Sequence, residues 1–315
     1  MQPRKKIAVL MGGPSPEHDI SLKTAGRILK YLDREKYRVM PVKIDKNGNW
    51  PITMAAFKKQ TDIAFIAMHG TYGEDGQIQS TLETFGIPYT GSNPQVSALA
   101  IDKEKAMKLF RENKMTVPEY FIIHKKDDST LYWKSLKHFN LPVIIKPTTS
   151  GSSMGVHLIH SWGILPKALK DAFKYSPSVI IQEYIAGKEV SCGVLEINGN
   201  AIPLVPTEII PGKEFFLDYE SKYSLNGSRK LTPPNLPAPM LKKIQLAALK
   251  AHKALGCSGV SITDMIIDKK GVINILELNT IPGMTETSLL THGAQALGIG
   301  FSRLLDKIID SVNTT

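Results

Sequence analysis

The sequence predicts an α/β and α+β protein that begins with a parallel-sheet layer. Three observations carry that expectation. Over the first hundred residues, short apolar runs alternate with helical stretches, the pattern of βαβ units. From about Glu189 onward strands predominate. Near the end, "GVSITDMIIDKKGVINILELNT" (259–280) places two apolar runs on either side of Asp268-Lys269-Lys270-Gly271, which reads as an antiparallel hairpin.

In the first zone, residues 6–11 (KIAVLM), 38–44 (RVMPVKI) and 62–68 (DIAFIAM) are the strands, with helices near 21–32 and 77–86. Ser21 is the expected N-cap of the first helix. Ligands collect at the carboxyl ends of such strands, where the loops "GGPSPEHDIS" (12–21) and "HGTYGEDG" (69–76) carry Glu17 and His69. Each alone reads first as an ordinary capping or loop residue. A second zone starts near Asp102 with a charged helix, the strand YFIIH, the strand-loop-strand unit "LPVIIKPTTSGSSMGVHLI", a helix near 165–174 and the strand SVIIQEYI. The third holds EVSCGVLEI with an Asn198-Gly199 turn, a polar loop at 211–235, a helix at 239–255, the hairpin and two further helices. A connection as long as 211–235 is expected to be a lid, a binding segment or disordered. The division expected is 1–101, 102–188 and 189–315.

Composition narrows the function classes. The 315 residues are 42% hydrophobic and 22% charged, ordinary for a globular protein. A net charge of +10 suits acidic ligands such as nucleotides. The basic residues are scattered, and no helix-turn-helix or aromatic-plus-basic module appears, so no nucleic-acid partner is expected. Two cysteines, Cys192 and Cys257, are too few for a disulfide framework or a zinc site. The start "MQPRKKIAVLMGG" has too short an apolar run for a signal core, and no run approaches membrane-spanning length. A cytoplasmic protein with no membrane partner is expected.

Two motifs carry chemistry. "KPTTSGSSMGV" is not a Walker A sequence, yet a small-residue loop can offer backbone N–H groups to phosphate and Lys146 adds a point charge. A flexible hairpin with a surface lysine fits those residues equally. In the hairpin, Glu277 and Asn279 lie two apart and share a face, and Asp264 on the partner strand can face them. Three hard oxygen ligands suit Mg²⁺ bound together with substrate phosphates. The competing reading is a structural ion pair, although the immediate neighbours of the acids supply no obvious cationic partner. Tyr223, in "DYESKY", would by default be a packing residue.

In this order "GGPSPEHDIS", "HGTYGEDGQIQSTLETFGIPYTGSN", "KPTTSGSSMGV", "DYESKY" and "ILELNTIPGMTETSLL" resemble the ATP-grasp superfamily, and within it the D-alanine–D-alanine ligases, over almost the whole chain. The resemblance implies an ATP-grasp fold with a Rossmann-like N-terminal domain and ATP held between the second and third domains. It places Lys103 and Lys146 on the ATP phosphates, and Gln182, Glu183, Ile185 and Glu189 of "QEYIAGKE" at adenine and ribose. Gln182 departs from the usual Glu, and its amide carbonyl could receive the adenine amine. Lys222 and Tyr223 match the end of a mobile loop. Glu17, Ser152 and Tyr223 match a catalytic hydrogen-bonded trio, and Glu17, His69, Gly283, Ser288 and Leu289 match substrate-pocket positions. Asp264, Glu277 and Asn279 correspond to ligands of two Mg²⁺ ions, with Mn²⁺ as a substitute.

The activity so implied is an ADP-forming ligation of two D-alanines through an acyl phosphate, a step in making peptidoglycan precursors for the cell wall. The resemblance leaves room for a homodimer. One departure stands out: "VSITD" puts Ile262 where the family usually has an arginine that stabilises the developing oxyanion. Lys222, Arg229 and Lys230, in or near the polar loop, are candidates to replace it, with Arg229 the first, although a solvated loop residue is the stronger reading of Arg229. A ligase for another amino acid, and a nucleotide-binding homologue with reduced or lost turnover, are the alternative expectations.

Overall fold

The computed structural model describes residues 4–127, 136–151, 153–211 and 228–312. The chain opens with β1 (Lys5–Gly12), α1 (His18–Tyr31), β2 (Tyr37–Ile44), α2 (Met54–Gln60), β3 (Ile63–Ile66) and α3 (Gln77–Thr84). The three strands pair in parallel in the order β2-β1-β3, as the alternation of apolar and helical runs requires. Two short helices follow, α4 (Pro94–Ile101) and α5 (Lys103–Glu112). Both begin on a side-chain cap: Asn93 accepts from Val96 N at 2.9 Å and Asp102 from Lys105 N at 3.2 Å, each satisfying a backbone donor that the helix leaves open.

One expectation in this region fails. Helix α1 starts at His18 with Glu17 in the cap position, so Ser21 is not its N-cap but lies within the helix. The Ser21 hydroxyl donates to Glu17 O at 3.0 Å and accepts from His69 N at 2.9 Å. It is occupied in tying the helix to the neighbouring loop, a use that local capping preference does not reveal.

A second sheet is antiparallel, in the order β4-β7-β5-β6. Its strands are β4 (Tyr120–His124), β5 (Val143–Pro147), β6 (His157–Ile159) and β7 (Ser178–Glu183), with α6 (Leu165–Ala172) packed against it. The third sheet holds β8 (Gly187–Ile197), β9 (Asn200–Pro203), β10 (Thr207–Pro211), β11 (Ser228–Leu231), β12 (Val260–Asp268) and β13 (Ile273–Asn279). Its order is β11-β10-β8-β12-β13, and β9 pairs with the far end of β8. Asn198 and Gly199 turn β8 into β9 with φ of 53° and 74°, the left-handed pair of a tight hairpin.

The polar stretch 211–235 is not all loop. Ser228–Leu231 is strand β11, paired antiparallel to β10 with Pro211 opposite Ser228, and 212–227 lie outside the described residues. Helix α7 (Ala238–Leu255) covers one face of this sheet and ends at Gly256 in the left-handed conformation. Along β12, Ser261, Thr263, Met265 and Ile267 are buried, while Ile262, Asp264 and Ile266 are only partly so. The period of two gives one strand face to the apolar core around Ile244, Ala248 and Met265 and the other to an open cavity.

The last helices, α8 (Leu289–Ala296) and α9 (Phe301–Asp310), return to the first sheet. Leu304 and Ile308 share a core with Ile7, Val9 and Ile28, and Tyr37 donates to Asp306 at 3.0 Å. Loops of the first zone are thereby held against the end of the β12–β13 hairpin.

Candidate active site

Two cavities meet on the open face of the third sheet. The first, about 340 Å³, lies between the second and third sheets, a volume in the range of small-molecule sites. The second, about 170 Å³, lies between the third sheet and the first-zone loops. Glu189, Ile209, Asp264 and Glu277 line both.

The first cavity is basic on one side. Lys103 and Lys146 are 8% and 7% exposed, and burying ammonium groups is costly unless anions face them. Lys103 Nζ donates to Ser150 O at 2.6 Å and stands 3.4 Å from Glu277 Oε2. The cation that the immediate sequence neighbours of Glu277 lack therefore arrives from α5. Lys146 enters from β5. Gln182 and Ile185 line the wall. The Gln182 side-chain carbonyl is buried with no hydrogen-bond partner among the described residues, and a buried acceptor in that state signals a missing donor. Glu183 also lines the cavity, but its carboxylate accepts from Glu119 N at 2.8 Å and belongs to the pairing of the chain there.

The second cavity is acidic. His69 is buried, with Nδ1 3.3 Å from Glu74 Oε1 and Nε2 3.0 Å from the Thr24 hydroxyl. Burial pulls the His69 pKa down, but the hydrogen bond to Glu74 and the charges of Glu74 and Glu17 outweigh it, so the net shift is upward. Asn279 Nδ2 donates to the same Glu74 oxygen at 3.4 Å, and its Oδ1 accepts from Ile281 N at 2.7 Å. Gly283, Ser288 and Leu289 form the opposite wall, with the Ser288 hydroxyl accepting from Thr285 N at 2.8 Å.

Glu17 reaches the Gly/Ser loop that follows β5. A Cβ on Gly151 would lie 2.6 Å from Glu17 Oε1, so a larger residue there would push the Glu17 carboxylate from its place. Ser152, Lys222 and Tyr223, the other members of the expected trio and lid, lie outside the described residues.

Asp264 and Glu277 are direct register partners on β12 and β13, and Ile262 is opposite Asn279. Asp264 accepts a very short hydrogen bond from Ser191. Two carboxylates and an amide on one sheet face form a hard oxygen set that fits Mg²⁺. Among the described residues no cluster of three His, Cys, Asp or Glu gathers as a metal site. An ion held here would therefore draw further oxygens from phosphate or water, as Mg²⁺ commonly does.

Of the two readings of Arg229, the described residues fit the solvated loop residue. Arg229 is exposed and lines neither cavity. Lys230, its neighbour on β11, lines the second, because adjacent strand residues face opposite ways. Glu74 is a further site residue that the sequence reading did not single out. It lies in the quoted "HGTYGEDG" loop, but a loop has no periodicity to say which side chain points inward.

A family profile described as "D-ala D-ala ligase C-terminus" matches residues 109–310, and one described as "D-ala D-ala ligase N-terminus" matches 6–61 and 51–92. A D-alanine–D-alanine ligase of Geotalea uraniireducens is 40% identical over 305 residues, covering 97% of this chain and 94% of its own. A crystal structure of the Bacillus anthracis D-alanine–D-alanine ligase complexed with ATP superposes with a TM-score of 0.84 at 33% identity, covering 98% of this chain and 97% of that one. The VanG D-Ala:D-Ser ligase from Enterococcus faecalis superposes with a TM-score of 0.87 at 32% identity, covering 98% and 99%. With both profiles matched and relatives aligned nearly end to end, the chain belongs to the D-alanine–D-alanine ligase family of ATP-grasp enzymes.

Proposed function

We propose that the protein is an ATP-dependent ligase that joins two D-alanine molecules, releasing ADP and phosphate. The observation that carries this reading is the shared wall: a nucleotide-sized cavity with buried lysines abuts a small acidic cavity across Asp264 and Glu277. ATP fits the first cavity, with its phosphates toward Lys103 and Lys146 and its adenine amine toward the Gln182 carbonyl, contacted also by Ile185 and Glu189. A zwitterionic amino acid fits the second, its ammonium drawn to Glu17.

The carboxylate of the first D-alanine attacks the γ-phosphorus, the bond from that phosphorus to the bridging oxygen of ADP breaks, and an acyl phosphate forms. The amino group of the second D-alanine attacks the acyl carbon, loses a proton, and inorganic phosphate leaves. Lys103 and Lys146 neutralise charge on the transferring group, which is where phosphoryl transfer gains most from a protein. Mg²⁺ held by Asp264, Glu277 and Asn279 would neutralise phosphate charge there. Ser152, Lys222 and Tyr223 would close the site. No described helix is long and apolar enough to cross a membrane, and the reading places the enzyme in the cytoplasm.

The test is ADP release measured against a panel of D- and L-amino acids, with D-serine included. D-alanine-dependent ADP release and a D-alanyl-D-alanine product are expected. ADP release that no amino acid stimulates would overturn the reading and favour a nucleotide-binding homologue, as would be consistent with the uncharged Ile262.

A further inference from the structure

We propose that Arg27 is a positioning residue that fixes the width of the second cavity, and so the size of amino acid it accepts. The proposal rests on the ligase reading only for the identity of the ligand. The cavity has two walls that are far apart in sequence. Glu17, Ile20 and Thr24 line it from the first zone, and Gly283, Thr285 and Ser288 from the segment before α8. Ile20, Thr24 and Arg27 follow one another at helical spacing on α1 and share a face. Arg27 is not among the residues lining the cavity. It stands one turn behind Thr24, where the two walls join.

Three contacts seat the guanidinium there. Its Nη1 donates a long hydrogen bond of 3.5 Å to Met284 O, so α1 reaches the main chain of the opposite wall. Its central carbon stands 4.0 Å from the centre of the Phe301 ring, at the start of α9, and 5.8 Å from that of Tyr31. The two rings meet edge to face at 5.4 Å. An aromatic face attracts a guanidinium, and the planar group stacked on it presents its donors in a fixed direction. What Arg27 holds is a compact unit. Thr285 N donates to Ser288 Oγ at 2.8 Å and Ser288 N to Thr285 O at 3.2 Å, so a displacement of Met284 carries Gly283 and Ser288 with it. Packing alone does not account for the residue. Arg27 Nε is buried with no hydrogen-bond partner among the described residues, a cost that an apolar side chain filling the same space would not carry. Burial pulls the Arg27 pKa down, and the charge of Glu286, two residues beyond Met284, opposes that shift. The cation is thus drawn partly out of water to meet this segment.

An arginine that only stabilised the core would leave the cavity's choice of ligand alone, and a ligand-size series separates the two roles. Binding of D-alanine and of D-2-aminobutyrate, one methylene larger, is measured by calorimetry in the presence of ADP. The proteins are the parent, Arg27→Met, which keeps an apolar stem without charge or donors, and Arg27→Lys, which keeps the charge without the planar fork. Circular dichroism and melting check that each variant is folded. The parent is expected to prefer D-alanine by about tenfold or more, the scale on which a fitted pocket rejects one methylene. In Arg27→Met the wall yields and the preference should fall to about threefold or less, with Arg27→Lys in between. A methionine variant that binds both ligands more weakly at the parental ratio would overturn the proposal, as would a parent without the preference. Should Arg27→Met not fold, Arg27→Lys decides: an intermediate ratio sustains the proposal and the parental ratio overturns it. ADP release by the same parent protein is read separately. A ratio that depends on Arg27 without D-alanine-dependent ADP release would sustain this assignment and sink the ligase reading. ADP release with a ratio indifferent to Arg27 would do the reverse, and a parent that binds no amino acid would sink both.

Discussion

Asp264 and Glu277 stand directly opposite each other across β12 and β13, and the ladder slips by one residue immediately beyond them, so that Met265 pairs with Ile275. The residue left over is Leu276, which lines the first cavity. A bulge at this point bends the hairpin and re-aims its side chains. Both acids thereby form part of the wall between the cavities, with Lys103 at 3.4 Å from Glu277.

The metal assignment predicts the behaviour of Glu277→Gln. The amide keeps the shape and loses the charge, so the fold should persist while ADP release at a fixed Mg²⁺ concentration drops by about tenfold or more, a loss of roughly 1.4 kcal/mol. A Mg²⁺ titration is the decisive measurement, since the variant should need a higher concentration to reach half its own maximum. An unaltered titration curve would show that Glu277 serves only as the ion-pair partner of Lys103.

Gln182 makes a prediction of opposite sign for stability and binding. Its carbonyl is buried without a partner among the described residues, and leaving such a group unsatisfied costs about 1–3 kcal/mol. Gln182→Met, similar in length, should leave the ligand-free protein at least as stable as the parent and weaken ATP binding by about tenfold. Melting curves with and without ATP report both quantities. Nucleotide stabilisation equal to that of the parent would remove Gln182 from the adenine contact.

His252 predicts the pH dependence of stability. It is 1% exposed, with Nδ1 2.8 Å from the Ser261 hydroxyl. Burial lowers its pKa below 6.5, opposed by Glu196 and reinforced by Lys253. The folded state then binds fewer protons than the unfolded state around that pH, so stability rises with pH. The contribution is complete above about 6.5 and is lost as pH falls through the lower folded value. The melting temperature of the parent should therefore decline from pH 7.5 to 5 more steeply than that of His252→Gln. Parallel declines would contradict the assignment.

The sequence alone determined most of the strands and helices and the two hairpin acids, Asp264 and Glu277. Parallel strands alternating with helices, the β12–β13 hairpin and the shared face of Glu277 and Asn279 all follow from periodicity, because a strand repeats every second residue and the local pattern already encodes which face is apolar. Tertiary structure decided every relationship that joins distant segments. Lys103 meets Glu277 because α5 packs against the hairpin, and no local spacing contains that approach. Ser21 leaves the capping role because His69, far along the chain, claims its hydroxyl. The choice between Arg229 and Lys230 was closed to the sequence for the same reason. Alternation says that the two point to opposite sides, but only the pairing of β11 with β10 says which side holds the cavity.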